Sequence, residues 1–173
     1  MFLTLIGPRG AGKTTLGRIL AERVGANFTD LDKVIEWKAG RTVPDIFVHG
    51  GEAEFRILER EAFEELHCRE NTILATGGGA ILHPESQLEL EITGRTILLY
   101  ADPAILGERI KGSERPSLTG MDAASEIGQV FQQRRALYEK CAVHKLDTTA
   151  ITIEEATDVL EHLWKTLSGD QLR

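Results

Sequence analysis

Cysteine is scarce: Cys68 and Cys141 are the only two in 173 residues. Two lone thiols form neither a zinc-type spacing nor a disulfide framework. They read as buried or half-buried thiols in a reducing compartment. No apolar run is long enough to cross a bilayer, and the N-terminus enters a strand-like run rather than a signal peptide. A cytoplasmic protein with no membrane partner is expected. Positive charge is also short, with 20 Lys and Arg against 27 Asp and Glu and a net charge of −7. That balance, without a basic stripe, argues against nucleic acid as the main ligand. An anionic ligand would need a local pocket built from individual arginines. The five histidines, His49, His67, His83, His144 and His162, show no ligand spacing and receive no role. Internal repeats, low-complexity segments and linkers are missing too. With 42% hydrophobic and 27% charged residues, the composition is that of a globular protein. One domain over residues 1–173 is expected, and, with no long exposed apolar stripe, a monomer.

What is present is organised around Gly7-Pro8-Arg9-Gly10-Ala11-Gly12-Lys13-Thr14. It satisfies G-x-x-x-x-G-K-[ST], follows an apolar run at 2–6 and opens a helix-patterned run at 15–24, which is the context a P-loop requires. Glycines let backbone N–H groups turn inward around a phosphate chain. The helix N-terminus, through Gly10, Ala11, Gly12 and on to Thr15, adds partial positive charge at the same place. Lys13 can reach the outer phosphates, and the Thr14 hydroxyl can ligate Mg²⁺.

Along the chain, strand and helix patterns alternate. Strands are expected at 2–6, 28–30, 72–76, 95–101 and 143–146. Helices are expected at 15–24, 31–39, 42–48, 52–67, 84–90, from 103 to about 111, at 123–141 and at 152–167. Gly50-Gly51 should break the chain between two of them. On the last helix Ala156, Val159, Leu160, Leu163 and Leu167 should face inward. Residues 112–120 lack apolar periodicity and read as a mobile loop, and 168–173 as a frayed tail. The alternation predicts an α/β fold with a parallel sheet covered on both faces, whose ligands sit beyond the strands' C-terminal ends.

Three unusual groups follow the first three strands: the P-loop, Asp30 with Asp32, and Gly77-Gly78-Gly79. In extended backbone Asp30 and Asp32 would point to one side. One carboxylate suits Mg²⁺ through its water shell, and the other a substrate hydroxyl; a helix cap is the alternative for either. The glycine triplet allows a ligand to approach bare backbone, where a tight turn would need less. Arg134 falls on the apolar stripe Ile127, Val130, Phe131, Tyr138 and Cys141. A charge there needs a partner or a cavity, and a bound carboxylate would suit its forked guanidinium. Arg56 stands about 100° from the core stripe of its helix, and the residues alone favour an i,i+4 pair with Glu52. Arg115, in the loop, could neutralise a transferring phosphoryl group. Asp102 before Pro103 is a helix cap.

With these residues in hand the chain resembles the shikimate kinase family over nearly its whole length. The resemblance rests on I-G-P-R-G-A-G-K-T-T at 6–15, F-T-D-L-D-K-V-I-E at 28–36 and G-E-A-E-F-R-I-L-E at 51–59, with A-T-G-G-G at 75–79, R-P-S-L-T-G at 115–120 and R-R-A-L-Y at 134–138. It implies a three-layer α/β/α sandwich with five parallel strands in the order 2-3-1-4-5, a helical substrate-binding insertion at about 31–60 and a lid at about 111–121. It implies ATP-dependent phosphorylation of the 3-hydroxyl of shikimate, with Mg²⁺, in aromatic amino-acid biosynthesis. Lys13 and the loop backbone would hold ATP, Thr14 and Asp30 the metal, and Asp32 the substrate hydroxyls. Arg56 and Arg134 would bind the shikimate carboxylate beside Gly77, Gly78 and Gly79. Arg115 would be the lid arginine, and Arg109 would lie against adenine. Ala136 stands where many members have proline, and Ser117 departs from the common R-P-L-L. Two other readings stay open: another small-molecule P-loop kinase, for gluconate or a nucleoside monophosphate, and a non-catalytic ATP-binding sensor.

Overall fold

The computed structural model describes residues 1–66, 69–111 and 122–169. Five parallel strands form one sheet: β1 (Phe2–Ile6), β2 (Asn27–Asp30), β3 (Thr72–Ala75), β4 (Thr96–Tyr100) and β5 (His144–Asp147), in the order β2-β3-β1-β4-β5. The pairing register aligns the C-terminal ends, with Asp30 opposite Ala75, Leu5 opposite Ala75, Ile6 opposite Leu98, and Tyr100 opposite Asp147. The segments that leave those ends therefore gather along one edge of the sheet.

β1 and β4 are apolar on both faces because both faces are covered. Side-chain alternation sends Phe2, Ile6, Leu74 and Leu98 into one core, with Leu31, Ile46, Phe55, Phe63 and Tyr138. It sends Leu3, Leu5, Ile73, Ile97 and Leu99 into the other, with Leu20, Leu106, Leu160 and Trp164. The first core takes α2 (Leu31–Ala39), α3 (Val43–Leu66), α4 (Pro84–Thr93) and the C-terminal half of α6 (Ala123–Cys141). The second takes α1 (Lys13–Val24), α5 (Pro103–Arg109), the start of α6 and α7 (Ile153–Ser168).

The break expected at Gly50-Gly51 is a kink rather than a gap. Within α3, Gly51 alone leaves helical geometry, at φ 71° and ψ −173°. The rings of Phe47 and Phe55, one on each side, pack 4.8 Å apart and tie the two segments together. The cap expected at Asp102 is present, its side chain accepting from the Ala104 N–H at 2.8 Å ahead of Pro103. Cys141 is buried, and burial pushes its thiol up to about 11, so it stays protonated and inert. Cys68 and the 170–173 part of the expected tail lie outside the described residues.

One core assignment is corrected. Val159 is 42% exposed, whereas Ala156, Thr157, Leu160 and Trp164 are buried on α7. At 100° per residue the inward stripe centres between Leu160 and Trp164, and Val159 falls roughly 120° off that line. Among the described residues, no helix is long and apolar enough to cross a membrane.

Candidate active site

The loop between β1 and α1 curls at the sheet's C-terminal edge. At Gly7, with φ 137°, a Cβ would lie 1.9 Å from the Leu99 carbonyl oxygen of β4, so only glycine fits. Lys13, the first residue of α1, donates from Nζ to the carbonyls of Gly7 and Pro8, both at 2.7 Å. The ammonium is thus folded over the loop, in the wall of a cleft of about 630 Å³. Gly10, Ala11, Gly12, Thr14 and Thr15 line the same cleft.

Thr14 Oγ1 donates to Asp30 Oδ2 at 2.7 Å, and Asp30 Oδ1 accepts from the Asp32 N–H at 3.0 Å. Asp30 ends β2 and is the N-cap of α2, while Asp32 sits in that helix's first turn. The two carboxylates meet the cleft through a cap, not through strand alternation. Thr14 and Asp30 form a pair of hard oxygen donors. Among the described residues no three His, Cys, Asp or Glu side chains form a cage. The donor set therefore fits a cation that keeps several waters and takes the rest of its shell from phosphates, as Mg²⁺ does.

Arg109 donates to Thr148 at its hydroxyl (3.0 Å) and carbonyl (2.7 Å), and reaches the Gly10 carbonyl at 3.4 Å. With Ile110 and the chain from Thr148 through Ile151 to Ile153, it closes the far wall of the cleft. Sequence reasoning named Arg109 but missed the rest of that wall, because the turn between β5 and α7 carries no motif.

A smaller recess, of about 50 Å³, opens beside the cleft, and Arg9 and Gly78 line both. Arg56 and Arg134 face it from α3 and α6. They are held differently. Arg134 Nη1 donates to the Gly78 carbonyl at 3.1 Å, which also accepts from the Tyr138 hydroxyl at 2.6 Å. Burial pushes Tyr138 up to about 12, with Arg134 working the other way, so the phenol stays a donor. Arg56 pairs with Glu52 at 2.8 Å, as the residues alone suggested, and also with Glu59 at 2.6 Å. Burial works against its charge, but Glu59 and Glu52 outweigh it and hold its pKa above the ordinary value.

Glu59 is the main residue that the sequence reading passed over. Its side chain is 0% exposed. The true stripe of α3 runs Phe55, Glu59, Ala62, Phe63 and Leu66, while Leu58 packs only at its edge. The signal was a carboxylate four residues after Phe55 on an apolar face, the same kind of signal that singled out Arg134. The glycine triplet acquires a reason here. A Cβ on Gly77 would lie 2.5 Å from Glu59 Oε1 and 3.1 Å from Asp32 Oδ1, and one on Gly79 would lie 2.0 Å from Arg56 Nη1. Carboxylates and guanidinium lean directly on bare backbone. Arg115 and residues 112–121 of the lid expected at about 111–121 lie outside the described residues.

A phosphate-cradling loop at one end of the cleft and a small arginine-lined recess at the other define a P-loop kinase for a small anionic acceptor. A family model described as shikimate kinase matches residues 9–164. The shikimate kinase of Symbiobacterium thermophilum is 38% identical over 94% of this chain and 96% of its own length. That of Thermus thermophilus is 38% identical over 95% and 90%. Among solved structures, shikimate kinase from Acinetobacter baumannii in complex with shikimate superposes with a TM-score of 0.87 at 33% identity, covering 99% of this chain and 95% of that one. The chain belongs to the shikimate kinase family, and its reaction is that of a phosphotransferase acting on shikimate with ATP.

Proposed function

We propose that the whole chain, acting as one domain and a monomer, transfers the terminal phosphoryl group of ATP to the 3-hydroxyl of shikimate with the following division of labour. The P-loop backbone and Lys13 hold the ATP phosphates, Lys13 leaving its two carbonyl contacts for the outer phosphate oxygens. Arg109, with the wall from Thr148 to Ile153, accommodates the base. Thr14 and Asp30 hold Mg²⁺, whose charge when bound offsets that of the phosphate oxygens. In the recess, Arg134 and Arg56 bind the acceptor carboxylate through bidentate, charge-assisted hydrogen bonds. Gly77, Gly78 and Gly79 form its floor, within the reach of the segment 31–60. Asp32 accepts a hydrogen bond from the acceptor hydroxyl and aims it at the phosphorus. Arg115, in a lid at 111–121, adds positive charge where it builds up in transfer. The new bond joins the acceptor oxygen to the γ-phosphorus as the bond to the β,γ-bridging oxygen breaks; ADP leaves with that oxygen, the hydroxyl proton departs along its hydrogen bond to Asp32 and on to solvent, and the main task of the protein is alignment and charge neutralisation.

The observation that carries this reading is the shared wall. Arg9 and Gly78 belong to both the cleft and the recess, so a donor in one and an acceptor in the other would lie side by side. The test is ADP release from Mg-ATP with shikimate, gluconate, quinate or a nucleoside monophosphate as acceptor. Release with shikimate alone is expected. Release with a different acceptor would keep the kinase and replace its substrate. ATP binding without acceptor-dependent release would make the chain a sensor.

A further inference from the structure

The buried Glu59 has a second neighbour besides Arg56. His83 Nε2 stands 3.8 Å from Glu59 Oε2, the same oxygen that accepts from Arg56 Nη1 at 2.6 Å. His83 lies at the N-terminus of α4 with its side chain 18% exposed. Both Glu59 Oε1 and His83 Nε2 are buried without a hydrogen-bond partner. A fully buried carboxylate with one hydrogen-bonded cation, and an imidazole edge aimed at it, is an incompletely compensated arrangement.

We infer that His83 is a positioning residue for the acceptor pocket: its protonation adds a second cation to Glu59, loosens the hold of Glu59 on Arg56, and tightens binding of the acceptor carboxylate. This rests on the proposed role of Arg56. With neutral His83, Arg56 alone compensates Glu59, and turning it toward a ligand exposes the buried carboxylate to a desolvation cost. With protonated His83, that cost falls, and the recess gains positive charge for an anion. Both effects have the same sign. Acceptor binding must in turn favour protonation of His83, by reciprocity.

The charged and titratable groups around this cluster are Glu59 and Arg56 on α3, with Glu52 on the far side of Arg56. Asp32 on α2 stands across Gly77, and Arg134 and Tyr138 on α6 meet at Gly78. On α4 itself are Glu85, Glu89 and, at the far end, Glu91 paired with Lys140 of α6 at 2.8 Å. Of these side-chain types, only imidazole ordinarily changes charge between pH 5.5 and 8.

The experiment measures the shikimate KM of the full chain between pH 5.5 and 8 at saturating Mg-ATP, for the parent, His83→Gln and His83→Lys. Ring-proton NMR of His83 with and without shikimate is recorded alongside. The parent KM should rise roughly three- to tenfold with pH across the histidine range. His83→Gln should hold the high value throughout and His83→Lys the low one, with kcat little changed. Shikimate should shift the His83 titration midpoint upward. A His83→Gln profile that follows the parent, or a midpoint that shikimate leaves in place, would overturn the role of His83 alone. An Arg56→Ala enzyme with the parent's acceptor KM would instead overturn the carboxylate reading of the pocket, and the route through Arg56 with it.

Discussion

At the proposed nucleotide end of the cleft, one contiguous loop between β1 and α1 curls its backbone into one wall, with Arg109 and the turn after β5 opposite it. At the proposed acceptor end, side chains from α2, α3 and α6 meet around the turn after β3. A contiguous backbone cradle is set up as soon as its strand and helix form. The acceptor end depends on long side chains whose charges must be compensated before a ligand arrives, which is why Arg56 carries two carboxylates and Arg134 a carbonyl. The first end should be sensitive to loss of charge in transfer, and the second to loss of binding.

Substitutions can break that division. Lys13→Ala should have the largest effect, lowering kcat by roughly 10²–10³-fold, the scale of one lost electrostatic contact in the transition state, with the acceptor KM and thermal melting nearly unchanged. Steady-state kinetics and circular dichroism check this; a selective rise in acceptor KM would contradict the division. Arg134→Ala should raise the acceptor KM by roughly 10–100-fold, as expected for a charged hydrogen bond worth about 1.5–3 kcal/mol. Its kcat should stay within a few-fold. Glu59→Ala should cost about 2–3 kcal/mol in urea unfolding. That is below the 3–5 kcal/mol typical of a broken buried pair, because Glu52 still holds Arg56.

Two smaller effects sharpen the comparison. Tyr138 has its pKa raised to about 12 by burial. Its stabilising contribution is therefore complete below pH 10 and lost as pH rises from about 10 toward 12. Tyr138→Phe should flatten that part of the stability–pH curve, and an unchanged curve would show that the loss comes from elsewhere. Glu52→Ala should be least disruptive. Glu52 is half exposed, so unfolding should change by less than about 1 kcal/mol, and acceptor affinity should rise slightly because Arg56 is freer.

The same contrast decides what was legible in the sequence. The P-loop was plain because its glycines, Lys13 and Thr14 are adjacent, and its strand and helix flank it directly. Helix α2 was placed at its observed bounds because Asp30 and Gly40 punctuate it at both ends. The alternation of elements gave a parallel sheet, but the strand order came only through the family resemblance, since residues along a strand do not name their neighbours. Arg134 was found because a charge interrupted an apolar stripe. Glu59 was passed over because it is one of six glutamates between Glu52 and Glu65, and the sequence does not plainly mark which of them turns inward. His83 showed no signal at all: its neighbour is 24 positions away, and only the packing of α4 against α3 brings them together.

Asp30 closes β2, starts α2 by accepting the Asp32 N–H, and receives the Thr14 hydroxyl. Three jobs at one position limit what variation can explore there. Asparagine would keep the cap, since Asn and Asp cap about equally well, but it would surrender the charge; alanine would surrender both. Selection on the metal role proposed for Asp30 would thus also act on where a helix begins, so adaptation of that role should proceed through Thr14 or the surrounding loop sooner than through Asp30 itself.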